Sequence, residues 1–500
     1  MGLTAMGLTI LFDDSRRVPD DILGMTGVGS FGGLIHGRRT LLRHVQEAAQ
    51  EAGLAPPVVL SSRAALDEAA ERAATAPAST QFLLFPANLA AAGPREHLTR
   101  VLKTLAQASG NQAWPVRTAT DWTGLVLVEQ RLAEGAVTAM AQGRLREFVA
   151  RRRKDFTQPD QADLGLIDLR DPAQFVGFLA NNFDARHFNS ISDGPDYTLV
   201  KRSRDRAKLR REFDYYTLLP AEQRIFFVQP FDFQDDGDTA SYRMERLLIA
   251  DMGIQWVHGT MTPAEFGLFL DRVFSYVTQR PARRVGRPEG RAVMDRLYRD
   301  KVVERVALLK SLPAYGDLAP LLARAVGGID ALMDRYLAAY ESLRDRFPAD
   351  RLVVGHGDLC FSNILYSKTT QLLRFIDPRG VESADELHTD PYYDLAKLSH
   401  SILGGYDFIN SGQYEVALGA DLGLTLASNA GERGWAQALF RERLAQAGFD
   451  PLLVRLCEAS LFISMTPLHI DVPKKILGFA LTARAILDEI DQARHGGKGA

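Results

Sequence analysis

Cysteine is nearly absent: Cys360 and Cys457 are the only two in 500 residues. So few in so long a chain exclude a disulfide framework and suit a reducing compartment, so a cytoplasmic location is expected. No run of about 18 apolar residues occurs, which excludes an ordinary transmembrane helix, and no membrane insertion is expected. The opening Met-Gly-Leu-Thr-Ala-Met lacks the basic, apolar, small-residue order of a secretory signal, and Met6 stands where a myristoylation motif has Ser or Thr. Charge of either sign is not in excess: the formal net charge is −3. Nothing in that balance draws the chain to nucleic acid or to an anionic membrane. Oligomeric state is left open.

What is present is the composition of an ordinary globular protein, 46% hydrophobic and 24% charged. At ~100–200 residues per domain the length predicts more than one. Residues 7–12 read as a strand, followed by Asp13, Asp14 and a Gly-rich stretch, Gly24–Gly37. A helix is predicted from Arg39 to Gly53, a strand at Val58–Ser61, a helix at Arg63–Ala74 and a strand at Gln81–Pro86. A helix at 94–109 and a strand at Thr123–Glu129 complete the pattern. Alternating strands and helices predict an α/β, Rossmann-like domain over 1–150 with a mostly parallel sheet. Residues 151–184 read as a connector, and the run Arg144, Arg146, Arg151, Arg152, Arg153 and Lys154 as a solvated helix face.

The pattern then changes. Asp196–Ser203 reads as a strand carrying Lys201, preceded by a loop, Asn189–Gly194, with Ser190 and Ser192. In 208–219, Leu209, Phe213, Tyr216 and Leu219 recur at helical spacing, and Glu212 lies on that helix. Strands at Ile225–Phe233 and Ala240–Leu248 follow, the second running through Met244, Glu245 and Leu247 into a short hinge. Residues 185–250 form an α+β lobe on this reading, and 251–494 a helical lobe. Thr262 with Glu265 three residues on is a capping-box signature.

The densest chemistry lies in 352–380. Three short apolar runs, Leu352–Val354, Ile364–Tyr366 and Leu372–Ile376, are bounded by Gly, Ser or Lys-Thr-Thr and read as strands. Ile364–Ile376 becomes a hairpin, which brings Asn363 at one end close to Asp377 at the other. An amide oxygen and a carboxylate together suit one hard cation such as Mg2+. His356 and Asp358 sit on the loop before Asn363.

This stretch resembles the catalytic loop and metal-binding segment of the aminoglycoside phosphotransferase and choline kinase family, which has a bilobal protein-kinase-like fold. The matching pattern is His-Gly-Asp at 356–358, Asn363 five residues after the Asp, Ile-Asp at 376–377, and Asp390-Pro-Tyr-Tyr-Asp-Leu-Ala396. The resemblance implies an ATP- and Mg2+-dependent enzyme that phosphorylates a hydroxyl of a small molecule. Asp358 would be the base, with His356 beside it, and Asn363 and Asp377 the metal ligands. Lys201 would clamp the nucleotide phosphates with Glu212 as its partner. Ser190 and Ser192 would cover the phosphates, and Met244, Glu245 and Leu247 would form the nucleotide hinge.

Two features set this chain apart from that pattern. Pro378 and Arg379 follow Asp377 directly. Pro378 biases Asp377 toward extended backbone, and Arg379 either pairs with Glu382 or Asp385 at the surface or grips a phosphate or an acidic acceptor. The N-terminal order resembles nucleotidyltransferase domains, although their basic signature is absent, and the pairing of the two domains resembles proteins of capsule and surface-polysaccharide biosynthesis. The alternatives are a nucleotide-binding pseudokinase or a bifunctional kinase and nucleotidyltransferase.

Overall fold

The computed structural model describes residues 7–496, apart from 37–38, 92–95, 116–121, 158, 160–163, 172–173, 176, 179–188, 196–197, 248, 419–422 and 429–430. The chain divides into two compact units, Met1–Asp184 and Ala185–Ala500. No described helix is long and apolar enough to cross a membrane.

The first unit is built on a six-stranded sheet. Leu8–Asp13 lies parallel to the edge strand Val58–Leu60 on one side and to Gln81–Pro86 on the other. Ser62 caps the helix Arg63–Thr75 by accepting from the Ala65 amide at 3.2 Å, so the chain turns straight from strand into helix. That helix and Gln130–Ala141 cover one face through Leu66, Ala69, Leu132 and Val137. The sheet is mixed rather than mostly parallel: Trp122–Glu129 runs antiparallel both to Gln81–Pro86 and to Asn111–Pro115. Too few residues separate Pro115 from Trp122 for a crossover helix, so these two strands can only pair antiparallel. Within the stretch read as a connector, Phe156–Thr157 joins this sheet beside Asn111 and Gln112, and Leu166–Asp168 pairs with Leu89–Ala91.

The Gly-rich stretch is not one open loop. Asp20–Thr26 is helical, and the amide of Gly32 donates to Asp14 at 2.9 Å while the Ser30 hydroxyl donates to the same carboxylate at 2.8 Å. A Cβ at Gly32 would stand 2.4 Å from that carboxylate. The anion in this cradle is the chain's own Asp14.

The second unit opens with a four-stranded antiparallel sheet in the order Asn189–Asp193, Thr198–Ser203, Ala240–Glu245, Pro230–Asp235. The helix Arg206–Leu218, capped by Asp205, packs across it on Leu209, Tyr242 and Met244. The remainder is helical and surrounds one large core. Pro263–Thr278 begins with the expected capping box, and Pro451–Ser464 packs against both Tyr392–Ile402 and Pro473–Gly496. Against this bundle lie the strand Arg351–Val354 and the hairpin Ile364–Tyr366/Leu373–Phe375, in register Ile364 opposite Phe375.

Candidate active site

The hairpin does what its sequence predicts. Its open end is closed by the Ile376 amide, which donates to the Asn363 carbonyl at 3.0 Å, so Asn363 and Asp377 stand side by side. The Asn363 side-chain amide donates to the Asp358 carbonyl at 2.8 Å, which leaves its carbonyl oxygen for other work and pins the loop.

Asp377 differs from expectation. Its φ is +55°, the left-handed region, not extended backbone. Pro378 disfavours the right-handed helical region for its predecessor, and the left-handed region is the escape that a short polar side chain tolerates. The conformation lets the next residues fold back. The Arg379 amide donates to the His356 carbonyl at 2.9 Å, and the Val381 amide to the Arg211 carbonyl at 3.3 Å. Gly380 makes the second approach possible: a Cβ there would lie 2.7 Å from the Glu212 nitrogen. The segment after Asp377 is thus docked on the helix that carries Glu212.

That docking closes a three-membered charge cluster. The Lys201 ammonium donates to Glu212 and, at 2.8 Å, to Asp377. Glu212 also accepts from the Tyr242 hydroxyl. The Lys201 side chain is 3% exposed and Asp377 is 44% exposed. Burial alone would lower the Lys201 pKa, but the charges of Asp377 and Glu212 outweigh it and hold the ammonium above its usual range. Burial, with Asp377 nearby, pushes the Glu212 carboxyl up.

His356, expected beside the base, is fully buried. Its Nε2 donates to the Ile376 carbonyl at 3.0 Å, and its Nδ1 accepts from the Asp358 amide at 3.1 Å. Burial lowers its pKa and keeps it neutral. It ties the Asp358 loop to the Asp377 loop. The same loop hangs from Asp394, which accepts from the amides of His356 and Gly357, both at 2.9 Å. Asp394 is in turn paired with Arg280 at 3.1 Å, with the two side chains 0% and 1% exposed. Sequence reading passed over Arg280, which sits in an otherwise unremarked Gln-Arg-Pro.

It also passed over Lys397. Its ammonium lies 2.8 Å from Asp358, the lysine 13% and the carboxylate 44% exposed. Burial would raise the Asp358 pKa, but Lys397 holds it below the ordinary carboxylate range. The signal available was position: Lys397 comes one helical turn after Asp394 and so lies on the same side of the helix.

Other expectations fare differently. Asn189–Asp193 is a strand paired with the Lys201 strand, Ser190 opposite Arg202 and Ser192 opposite Val200, not a loop. The alternating Asn-Ser-Ile-Ser-Asp pattern suits an edge strand, and the side chains of Ser190 and Ser192 lie outside the described part of the structure. Met244 is buried at the end of its strand, Glu245 is exposed, and Leu247 follows in irregular backbone. Of the two surface partners expected for Arg379, Glu382 pairs instead with Arg211 at 3.2 Å, and among the described residues no ion pair joins Asp385 to Arg379. Arg379 is exposed, and among the described residues no carboxylate pairs with it.

No family model matches the chain, and no curated protein matches it. Solved structures do. The apo form of a thermostable mutant of aminoglycoside phosphotransferase APH(4)-Ia is similar at 10% identity and a TM-score of 0.33, over 63% of this chain and 98% of that one. An aminoglycoside-3'-phosphotransferase of type VIII is similar at 17% identity and a TM-score of 0.29, over 60% of this chain and 93% of its own. A ternary complex of the former enzyme with ADP and hygromycin B is similar at 11% identity and a TM-score of 0.33, over 62% and 97%. Scores this low add no weight to the geometry described above.

Proposed function

We propose that the second unit is an ATP- and Mg2+-dependent phosphotransferase acting on a hydroxyl of a small molecule such as a sugar, polyol or amino alcohol. The observation that carries this reading is the convergence around one site of Lys201, Glu212, Asp377, Asn363 and Asp358, from segments far apart in sequence. Phosphoryl transfer needs little covalent chemistry, so a protein catalyses it by positioning and by neutralising charge.

The residues present fit a magnesium ion. Asp377 spends one oxygen on Lys201 and keeps the other, and Asn363 keeps its amide oxygen. One carboxylate and one amide oxygen are a hard donor set, and Mg2+ takes its remaining ligands from water and phosphate. When bound, the ion would offset charge on the nucleotide phosphates. Lys201, held charged by Asp377 and Glu212, would bind the nucleotide phosphates. Asp358 accepts the acceptor's hydroxyl proton as the acceptor oxygen bonds to the γ-phosphorus and the bond from that phosphorus to the bridging oxygen of ADP breaks, releasing ADP, and Lys397 keeps Asp358 ionised until then. Arg379, exposed beside Asp377, binds a phosphate oxygen or an acidic group. A pseudokinase would bind nucleotide without turnover.

ATP consumption across sugars, polyols and amino alcohols separates the two readings. The wild-type chain consumes ATP with at least one acceptor, and Asp358→Asn does not. Equal rates with every acceptor would sink the enzyme reading.

A further inference from the structure

The surroundings of Asp358 carry more positive charge than transfer to a neutral hydroxyl needs. Lys397 already neutralises Asp358 at 2.8 Å. A second ammonium stands next to it. Lys301, at the start of the helix Lys301–Ser311, donates to the Tyr393 hydroxyl at 2.9 Å. Tyr393 and Lys397 are one turn apart on Tyr392–Ile402, so their side chains share a face of that helix. The order Lys301, Tyr393, Lys397, Asp358 is therefore a continuous row with two cations and one carboxylate.

Lys301 has no acidic partner among the described residues. Its neighbour Asp300 is paired with Arg299 at 2.8 Å. Its side chain is partly exposed and keeps two N–H donors beyond the one given to Tyr393. A structural lysine that only supported Tyr393 would not need to be charged, and a neutral donor would serve. Burial would raise the Tyr393 pKa, but the two ammonium groups outweigh it and draw the phenol below its ordinary range. The row is electropositive enough to be felt at its middle.

We infer that this row is an anion subsite of the acceptor pocket, and that the acceptor carries a phosphate or carboxylate that Lys301 binds while its hydroxyl faces Asp358. The inference rests on the phosphotransferase reading for its second half only. The anion subsite stands or falls by itself.

The test uses the full chain in two forms, wild type and Lys301→Met, with AMP-PNP and Mg2+ at saturation so that the nucleotide site is filled. Calorimetric titrations with inorganic phosphate, glycerol 3-phosphate, glycerate and glycerol are compared. Glycerol 3-phosphate or glycerate binds the wild-type chain about tenfold or more tightly than glycerol, as a charge-assisted hydrogen bond allows. Lys301→Met loses that preference while its thermal unfolding midpoint and its AMP-PNP affinity stay those of wild type. Binding of inorganic phosphate as tight as glycerol 3-phosphate identifies a free-anion site and overturns the assignment to the acceptor. Equal binding of charged and neutral probes by wild type, or an unchanged preference in Lys301→Met, overturns the subsite altogether. If AMP-PNP does not bind, the phosphotransferase reading fails separately, and the difference between wild type and Lys301→Met on the nucleotide-free chain still decides the subsite.

Discussion

Asp358 and Asp377 look alike when taken one at a time. Each is 44% exposed, and each pairs with a lysine ammonium at 2.8 Å. They differ in what stands behind the lysine. Behind Lys201 is a second carboxylate, Glu212, so that cluster has two anions for one cation. Behind Lys397 is Tyr393 and then Lys301, so that row has two cations for one anion. The first arrangement has negative charge to spare for a metal ion, and the second has positive charge to spare for an anion. On the proposed reading, two equivalent-looking ion pairs would take opposite roles from their neighbours, because in a partly desolvated site the net charge of the cluster decides what binds.

The sharpest way to test that difference is to remove each carboxylate's charge in turn. Asp358→Asn lowers kcat by about 10²–10⁴-fold, the range of a general base, and leaves nucleotide affinity unchanged. Asp377→Asn instead removes the magnesium dependence of nucleotide binding, read by calorimetry with and without the metal. If the two variants lose the same property, the roles are not divided as described.

Next in size is the support beneath the Asp358 loop. Arg280→Met leaves Asp394 buried without its partner, and breaking such a pair costs on the order of 3–5 kcal/mol. Urea unfolding measures the loss. A midpoint equal to wild type would mean that Asp394 is satisfied by the loop amides alone.

Arg379→Lys keeps the charge but not the two-pronged donor. If Arg379 binds a phosphate or an acidic acceptor, the KM for ATP or acceptor rises about tenfold, on the order of 1.4 kcal/mol. Kinetics identical to wild type would leave Arg379 a surface residue.

The smallest effect expected is in pH dependence. Burial would raise the Asp358 pKa, and Lys397 holds it below the ordinary carboxylate range. A depressed carboxylate stays ionised above its folded pKa and loses its charge as pH falls through it. The acid limb of kcat/KM therefore lies below the ordinary carboxylate range in wild type and moves to higher pH in Lys397→Met. An unmoved limb would assign it to another group.

Much of this site was readable because its parts are close in sequence. Asn363 and Asp377 meet because a short hairpin must bring its ends together, and the alternation of apolar runs with Gly, Ser and Thr marks that hairpin. The capping box at Thr262 depends on neighbours three residues apart and was readable for the same reason. The edge strand Asn189–Asp193 was misread as a loop because its alternating polar residues carry no apolar face of their own. They acquire their structure from pairing with Thr198–Ser203. The mixed first sheet was misread because alternation alone does not state direction.

The sequence by itself determined which chemistry is available: the acids, amides and lysines, their order, and the local turns and caps that hold them, all set by backbone preferences over a few residues. Tertiary structure alone decided which of them meet. Lys201 reaches Asp377 across 176 residues, and Arg280 reaches Asp394 across 114. No periodicity links such positions, since they are joined only by the packing of one shared core. The left-handed backbone of Asp377 and the complete burial of His356 were decided at the same level. A residue before proline has more than one allowed basin, and a histidine beside a candidate base looks the same in sequence whether it faces solvent or core. The choice between them falls to the surrounding packing, which only the folded chain supplies.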